Sequence, residues 1–532
     1  MSDSDDDGQA PAKATIGSGE ANALDRRELQ DRAIRGAGWT MIHTVTSVPI
    51  AFVVNILLAR ILGVADYGRL AFLMTLMDIV SGIVALGVTT GTLQFGAKAH
   101  ASGHRDQVRE LLSKAQGFRL VFAAPVLTVV VVLVAHVDLP ILILALVFGV
   151  WVPGFFDGAT TCLAIENKTA TGAKNAMIVN LLRQVGVVTA LLLGGSADVV
   201  WAARLALGSI GIGLALLVVD HSYRAAVLRP RLPRHMPLGF WKFVVPTAIA
   251  TLISTLALSR TEVFFLQWFS DTAAVGLFAL AFGLASHIFS PAQALVGPLI
   301  PAISGLREVD TAAIVPAFFR TLRTSVILVG ALSVVGVPAL ALLIPALYGS
   351  AFSRSAGMFV ALSISAGILV AGAPVGAFVL GRLAARTILV VDLIALVVDV
   401  VLAVTLIPVM GGWGAVVANM SGALTLLGLL VNSEVRALGL SWRQLLAVAR
   451  ALFIAFGTSV LAWFVLQALD LPAPVAAIVA SAASTVAWAL LVRVTRAGLS
   501  DSDVSALVRV VPAVGQRRTR LVLALVTTHD AT

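Results

Sequence analysis

The sequence predicts an all-α protein that crosses a membrane many times, and three observations carry that prediction. Of its 532 residues, 59% are hydrophobic and only 12% charged, and mean hydropathy is +0.97, far from the balance of a soluble domain. Apolar runs of about 20 residues, the length that spans roughly 30 Å of hydrocarbon, recur along nearly the whole chain. Those runs are continuous and do not alternate at a period of two, which fits helices and excludes the strands of an outer-membrane barrel.

Fourteen spans follow in order, each end good to several residues: 36–59, 69–94, 117–136, 139–163, 175–194, 198–220, 243–269, 273–300, 321–347, 354–380, 386–408, 411–434, 448–469 and 473–493. The acidic opening "MSDSDDDGQAPAKATIGSGE" reads as a disordered tail, and "RRELQDRAIRG" gives an uncleaved first helix its positive flank. Lysine and arginine then set orientation. Of 37, 31 fall in the two tails, in the loops after even-numbered spans, or within the three end residues of a span that borders them. The positive-inside rule therefore puts both termini and those loops in the cytoplasm. The net charge of +9 is mostly this topology signal and is weak evidence for nucleic acid. Cys162, the single cysteine, excludes an intrachain disulfide and a cysteine-based metal site.

The chain also repeats itself. "ADYGRLAFLMTLMDIVSGIVALG" from Ala65 lies against "AAVGLFALAFGLASHIFSPAQALVG" from Ala273 at an offset of 208, anchored on Gly68 and Gly276, and "GGSADVVWA" from Gly194 echoes "GGWGAVVAN" from Gly411. Six spans per unit is an even number, so both units enter the membrane from the same side as parallel lobes, an arrangement that puts substrate between the halves. The expected organisation is a disordered tail (1–35), an amino-terminal lobe (36–221), a basic linker (222–241), a carboxy-terminal lobe (242–436), an appended helix pair (437–495) and a basic cytoplasmic tail (496–532). The Pro-broken linker "RPRLPRHMPLGFWKF" reads as a flexible joint along anionic headgroups, and "HASGHRDQVRELLSKAQGFRL" as a solvated helical loop. The segment from Leu499 combines a helix start at Ser500 or Ser502 with basic and apolar residues, which suits the inner leaflet.

"ILLARILGVADYG", "RTEVFFLQWFSDTAAVGLFALA", "GPLIPAISGL" and "GGWGAVVAN", in that order and spacing over residues 30–440, resemble polysaccharide exporters of the multidrug/oligosaccharidyl-lipid/polysaccharide (MOP) superfamily. Family members commonly carry Asp in span seven and Tyr after Val-Gly-x, where this chain has Glu262 and Phe278. The resemblance implies a cell-membrane flippase, plasma or bacterial inner, that moves a polyprenyl-pyrophosphate-linked oligosaccharide to the outer leaflet for cell-surface polysaccharide assembly. It implies membrane lipids, glycan polymerases or glycosyltransferases as partners, and no resident cofactor. Lipid II and cationic drugs are the alternative cargoes within the superfamily.

Span seven poses the sharpest question, because "STLALSRTEVFFLQWF" puts Arg260 and Glu262 into an otherwise apolar helix. Two residues apart on a helix they point to nearly opposite sides, so each needs its own partner. Glu262 projects among Thr251, Ser254, Thr255, Ser259 and Thr261, a polar stripe read here as facing the central cavity, with Arg260 directed into the lobe or a lateral edge; the reverse assignment fits the pattern too. Arg260 has two readings of equal weight, substrate contact and a buried pair with Asp399. Arg183 and Arg204 are further candidate headgroup ligands, against snorkelling or pairing with Asp157 or Asp78. Asp78, Asp157 and Glu262 are candidates for coupling to a proton or sodium gradient, against ordinary helix-to-helix hydrogen bonding. His43 and His287 read as satisfied buried histidines.

Enzyme classes find little support. No loop is long enough for a catalytic domain, and there is no phosphate loop, nucleophile elbow or metal-spaced His/Cys cluster. A membrane glycosyltransferase or polysaccharide polymerase would be expected to carry a sizeable outer loop, and the loops after odd-numbered spans are nearly all very short.

Overall fold

The computed structural model describes residues 18–501, apart from 86, 235, 259–260, 294–298 and 383, together with 503–505 and 526–527. The described residues form helices almost throughout, and their one strand-like contact is an isolated bridge between Leu499 and Thr527. Eleven helices are long and apolar enough to cross a membrane. Every backbone amide in hydrocarbon needs a partner, and a helix supplies it within the segment. The chain is a multi-pass protein of the cell membrane.

Helices and crossings do not correspond one to one. The first helix, Ser18–Val84, contains a kink at Gly63 (φ 75°, ψ 179°), so its two arms are separate crossings joined tip to tip. It begins at Ser18, inside the stretch expected to be disordered; that expectation survives only for residues 1–17, outside the described residues. Span two breaks where Gly87 adopts φ 66°, and the helix Val88–Ala101 continues it. Spans seven and eight are likewise built from pieces, Phe240–Leu258 with Glu262–Phe269, and Thr272–Ile288 with Leu299–Val309.

The internal repeat survives in these interruptions. The piece Thr272–Ile288 starts 208 residues after Val64, and Leu299–Val309 ends 208 residues after Ala101. The second motif behaves the same way: Gly194 (φ 82°) and Gly411 (φ 56°) both lie in the positive-φ region that glycine enters without a Cβ penalty, each just before a long helix, Ala197–Val218 and Gly412–Leu438.

The halves meet where the first helix packs on Thr272–Ile288. Their closest approach is at Gly68 and Gly276. A Cβ on Gly68 would lie 1.9 Å from the Thr272 carbonyl oxygen, and one on Gly276 would lie 2.1 Å from that of Val64. Tyr67 packs edge-on against Phe352 beside this crossing, and Tyr348 meets Phe352 at a tilt. The carboxy-terminal pair, Trp442–Gln467 and Ala473–Val494, packs on the long helix Ile314–Tyr348, where Trp488 Nε1 donates to the Ala451 carbonyl at 2.9 Å and Gly330 lies against the Trp488 ring.

At the opposite end from Gly68, two segments differ from expectation. The helix Arg105–Phe118 buries Val108, Leu111, Leu112 and Phe118, so it is part of the folded body and not a solvated loop. The linker is pinned to it: Arg231 N donates to the Ser113 carbonyl at 3.0 Å, and Gly117 leaves room for the Arg231 carbonyl, which a Cβ would approach to 1.7 Å. A backbone held this way is a strut, which corrects the flexible-joint reading.

Candidate functional site

Polar side chains inside the bundle gather in three places. The first is a 350 Å³ cavity between the halves, lined by His43, Asn55 and Tyr67 of the first helix, Asn180, Arg183 and Gln184 of Thr169–Leu192, Arg204 of Ala197–Val218, and His287 and Tyr348 from the second half. Asn55 and Tyr67 bond to each other at 3.0 Å, and His43 Nδ1 contacts Ser47 Oγ at 3.0 Å. Both histidines line this cavity, His43 partly buried and His287 exposed, which corrects their reading as buried packing residues.

The second is a 710 Å³ cavity within the amino-terminal half, bounded by the first helix and by the segments 139–165, 169–192 and 197–218. Asp78, Asp157, Arg183 and Arg204 all line it. Arg183 and Arg204 therefore face both cavities. Their expected counter-ions separate. Asp78 is the carboxylate whose field reaches both guanidiniums, whereas Asp157 pairs with Arg119 at 3.4 Å and accepts from Thr160 at 2.8 Å. Arg119 opens a π-helical turn, Arg119–Ala123, and also bonds Gln116 and Thr89. Such turns recur at functional positions because the widened ring redirects a side chain.

The third lies in the carboxy-terminal half. Glu262, at the start of Glu262–Phe269, is fully buried and accepts from Asn419 Nδ2 at 2.8 Å, while Asp399 accepts from Thr261 Oγ1 at 3.1 Å. Glu262 Oε2 and Asp399 Oδ1 are both buried without a hydrogen-bond partner, and the two carboxyl groups lie within each other's field. The expected orientation is thus reversed: Glu262 points into its own lobe and not at the central cavity. Thr261 of the same stripe points the same way, and the polar partners come from Ala385–Met410 and Gly412–Leu438, which supply Asp399 and Asn419. Arg260 lies outside the described residues, and so does its proposed pair with Asp399.

Sequence reasoning placed Thr261 on the polar stripe with Glu262 but did not single out Asn419. Asn419 closes the motif "GGWGAVVAN", and a polar residue eight positions into an apolar span was the available signal. The two halves carry different chemistry at matched places. At offset 208 the counterpart of Glu262 is Val54, and in the second motif that of Asn419 is Ala202. Among the described residues no group of three or more His, Cys, Asp or Glu is arranged to hold a metal ion.

Helices crossing at paired glycines, with a polar cavity between two repeated halves, make a two-lobed helical membrane fold. Residues 33–307, just over half of the chain, match the polysaccharide biosynthesis protein family, and the chain belongs to that family. Among solved structures it is similar to the lipid II flippase MurJ in an inward closed conformation (TM-score 0.61, 12% identity, covering 85% of this chain and 98% of that one). It is also similar to an inward-facing MATE family multidrug resistance transporter (0.56, 14%, 76% and 98%) and to a MATE transporter from Vibrio cholerae (0.50, 14%, 77% and 98%). Identities this low speak for the fold alone. Comparison with curated protein sequences gives no match.

Proposed function

We propose that the protein flips a polyprenyl-pyrophosphate-linked oligosaccharide from the inner to the outer leaflet by alternating access. The observation that carries this reading is the polar cavity between the lobes, sealed at one end by the Gly68–Gly276 crossing. The charge bias of the loops assigns the sealed end to the outer face. A lipid-linked sugar has a head that hydrocarbon excludes and a tail that never needs to leave it. A polar chamber between two apolar lobes suits both. Arginine, with its planar fork of donors, is the side chain best matched to a pyrophosphate, and Arg183 and Arg204 are the cavity arginines.

Coupling falls to the other half. Two neighbouring buried carboxyl groups that both ionise need a cation to offset them, so Glu262 and Asp399 form a natural site for an exchanged proton or sodium ion. The cavity exposes two arginines and no unpaired acid cluster, which disfavours a cationic drug as cargo.

The test is outer-leaflet appearance of a fluorescent polyprenyl-pyrophosphate oligosaccharide in proteoliposomes, with proton or sodium gradients imposed, and lipid II as a parallel cargo. Flipping of the oligosaccharide, lost in folded Arg183→Gln, supports the reading. Absence of flipping under every gradient sinks it, and flipping of lipid II alone reassigns the cargo.

A further inference from the structure

We propose that Asp78 is the resident counter-anion of an Arg183–Arg204 anion site in the amino-terminal lobe, and that the phosphate or pyrophosphate of the transported headgroup displaces it. The inference rests on the flippase reading and names where in the cavity system the charged group goes.

The arginines are incompletely satisfied. Arg183 spends one donor on the buried Asn180 Oδ1 at 2.9 Å, and its Nε is buried without an acceptor. A guanidinium has five N–H donors, so most of the fork is available to an oxyanion. Arg204 repels Arg183, and Asp78 opposes both charges. One carboxylate against two guanidiniums leaves a positive surplus. A pyrophosphate diester carries two negative charges, one for each arginine, and accepts through several oxygens where Asp78 has two. Exchange of Asp78 for such a group therefore improves the charge match.

Asp78 also has somewhere to go. It is exposed, and besides the 710 Å³ cavity it lines a 180 Å³ cavity at the seam between the first helix and Phe240–Leu258, beside Thr89, Thr90 and Thr251. The second carboxylate of the large cavity does not compete, since Asp157 is engaged by Arg119 and Thr160. The arrangement serves the cycle in both directions. An empty carrier would otherwise reorient with uncompensated charge inside the bilayer, which is expensive. Return of Asp78 to the arginines removes that charge and helps expel the product.

The full chain in nanodiscs of zwitterionic lipid is titrated with inorganic pyrophosphate and, separately, with a short-chain prenyl pyrophosphate. Asp78→Asn is expected to bind about tenfold tighter, since one competing anion is lost, equivalent to about 1.4 kcal/mol. Asp78→Glu, which keeps the charge and guards against a folding artefact, binds like the native chain. Arg183→Gln combined with Arg204→Gln abolishes binding. In flipping assays Asp78→Asn slows turnover although it binds tighter, a split that a merely structural role would not produce. Tightening in both arms identifies the pyrophosphate group itself as the ligand; tightening in the prenyl arm alone places the source in the membrane. No tightening in either arm, or binding that survives loss of both arginines, overturns the proposal. If the expected binding is seen without any flipping, the flippase reading falls and the anion site stands.

Discussion

Gly68 and Gly276 sit on each other across the boundary between the two lobes, and the contact is reciprocal. A Cβ on Gly68 would meet Thr272 O and Gly276 N, at 1.9 and 2.6 Å; one on Gly276 would meet Val64 O and Gly68 N, at 2.1 and 3.1 Å. Val64 and Thr272, like the two glycines, are displaced by 208 residues. Equivalent atoms therefore meet their counterparts as in a two-fold interface, each patch complementary to its own copy.

The contact is backbone on backbone, so no side chain can yield to an added methyl group. Gly68→Ala and Gly276→Ala should each prevent this closure and shift the population toward a state open at that end. The check is labelling of Asn55→Cys in the central cavity with a membrane-impermeant maleimide applied from outside. Cys162 is buried, which keeps the background low. Labelling should rise several-fold in either alanine variant; unchanged labelling would show that the crossing is not a gate.

That crossing was legible in the sequence because a glycine repeated at a fixed offset is a backbone statement, independent of the partner's side chains. The helices were legible for a similar reason: in lipid, length and hydropathy nearly decide them. Glu262 was harder. Its orientation depends on Asp399 and Asn419, which lie 137 and 157 residues further along the chain, and no pattern local to span seven reveals which neighbour it faces. The pinned linker was misread because Pro and Arg composition describes an isolated segment, whereas the bond from Arg231 N to Ser113 O is a tertiary fact.

Glu262→Gln should keep the fold and remove the coupling. A glutamine amide can still accept from Asn419, so that hydrogen bond persists while the exchangeable charge is gone. Flipping driven by a gradient should drop to the rate seen without one. A folded Gln variant that still responds fully to the gradient would remove Glu262 from the coupling path.

Arg382 and Glu434 form a pair whose two sides differ in burial. Arg382 Nε donates to Glu434 Oε1 at 2.7 Å and its Nη2 to Ser433 Oγ at 2.6 Å, with the glutamate side chain fully buried and the arginine 27% exposed. Loss of one partner from a fully buried pair costs about 3–5 kcal/mol. Access of Arg382 to solvent moves Glu434→Ala to about 3 kcal/mol or less. By contrast, Asp106→Asn, which breaks the exposed pair with Arg109, should cost only about 0.2–1 kcal/mol. Thermal unfolding in one detergent compares the two, and equal shifts would contradict the burial argument.

Asp220 gives the linker region an acid-sensitive point. It caps the helix His221–Leu228, accepting from Ser222 N at 2.8 Å, and that backbone donor, with the Ser222 side chain, Lys168 and Arg105, holds its carboxyl below the ordinary carboxylate value. A depressed folded value means that the cap stabilises the helix above the unfolded carboxylate pKa of about 3.9. The contribution is lost as pH falls through the folded value. Asparagine is also a good cap but does not titrate in this range. Amide exchange over 221–228, corrected for intrinsic rates, should therefore accelerate below about pH 4 in the native chain. It should show a weaker acid response in Asp220→Asn, and be fast at every pH in Asp220→Ala. Glu166, which accepts from the Asp220 N–H at 3.0 Å and pairs with Lys168, is present in all three proteins. An acid response of the same size in Asp220→Asn would show that the sensitivity does not lie on the cap.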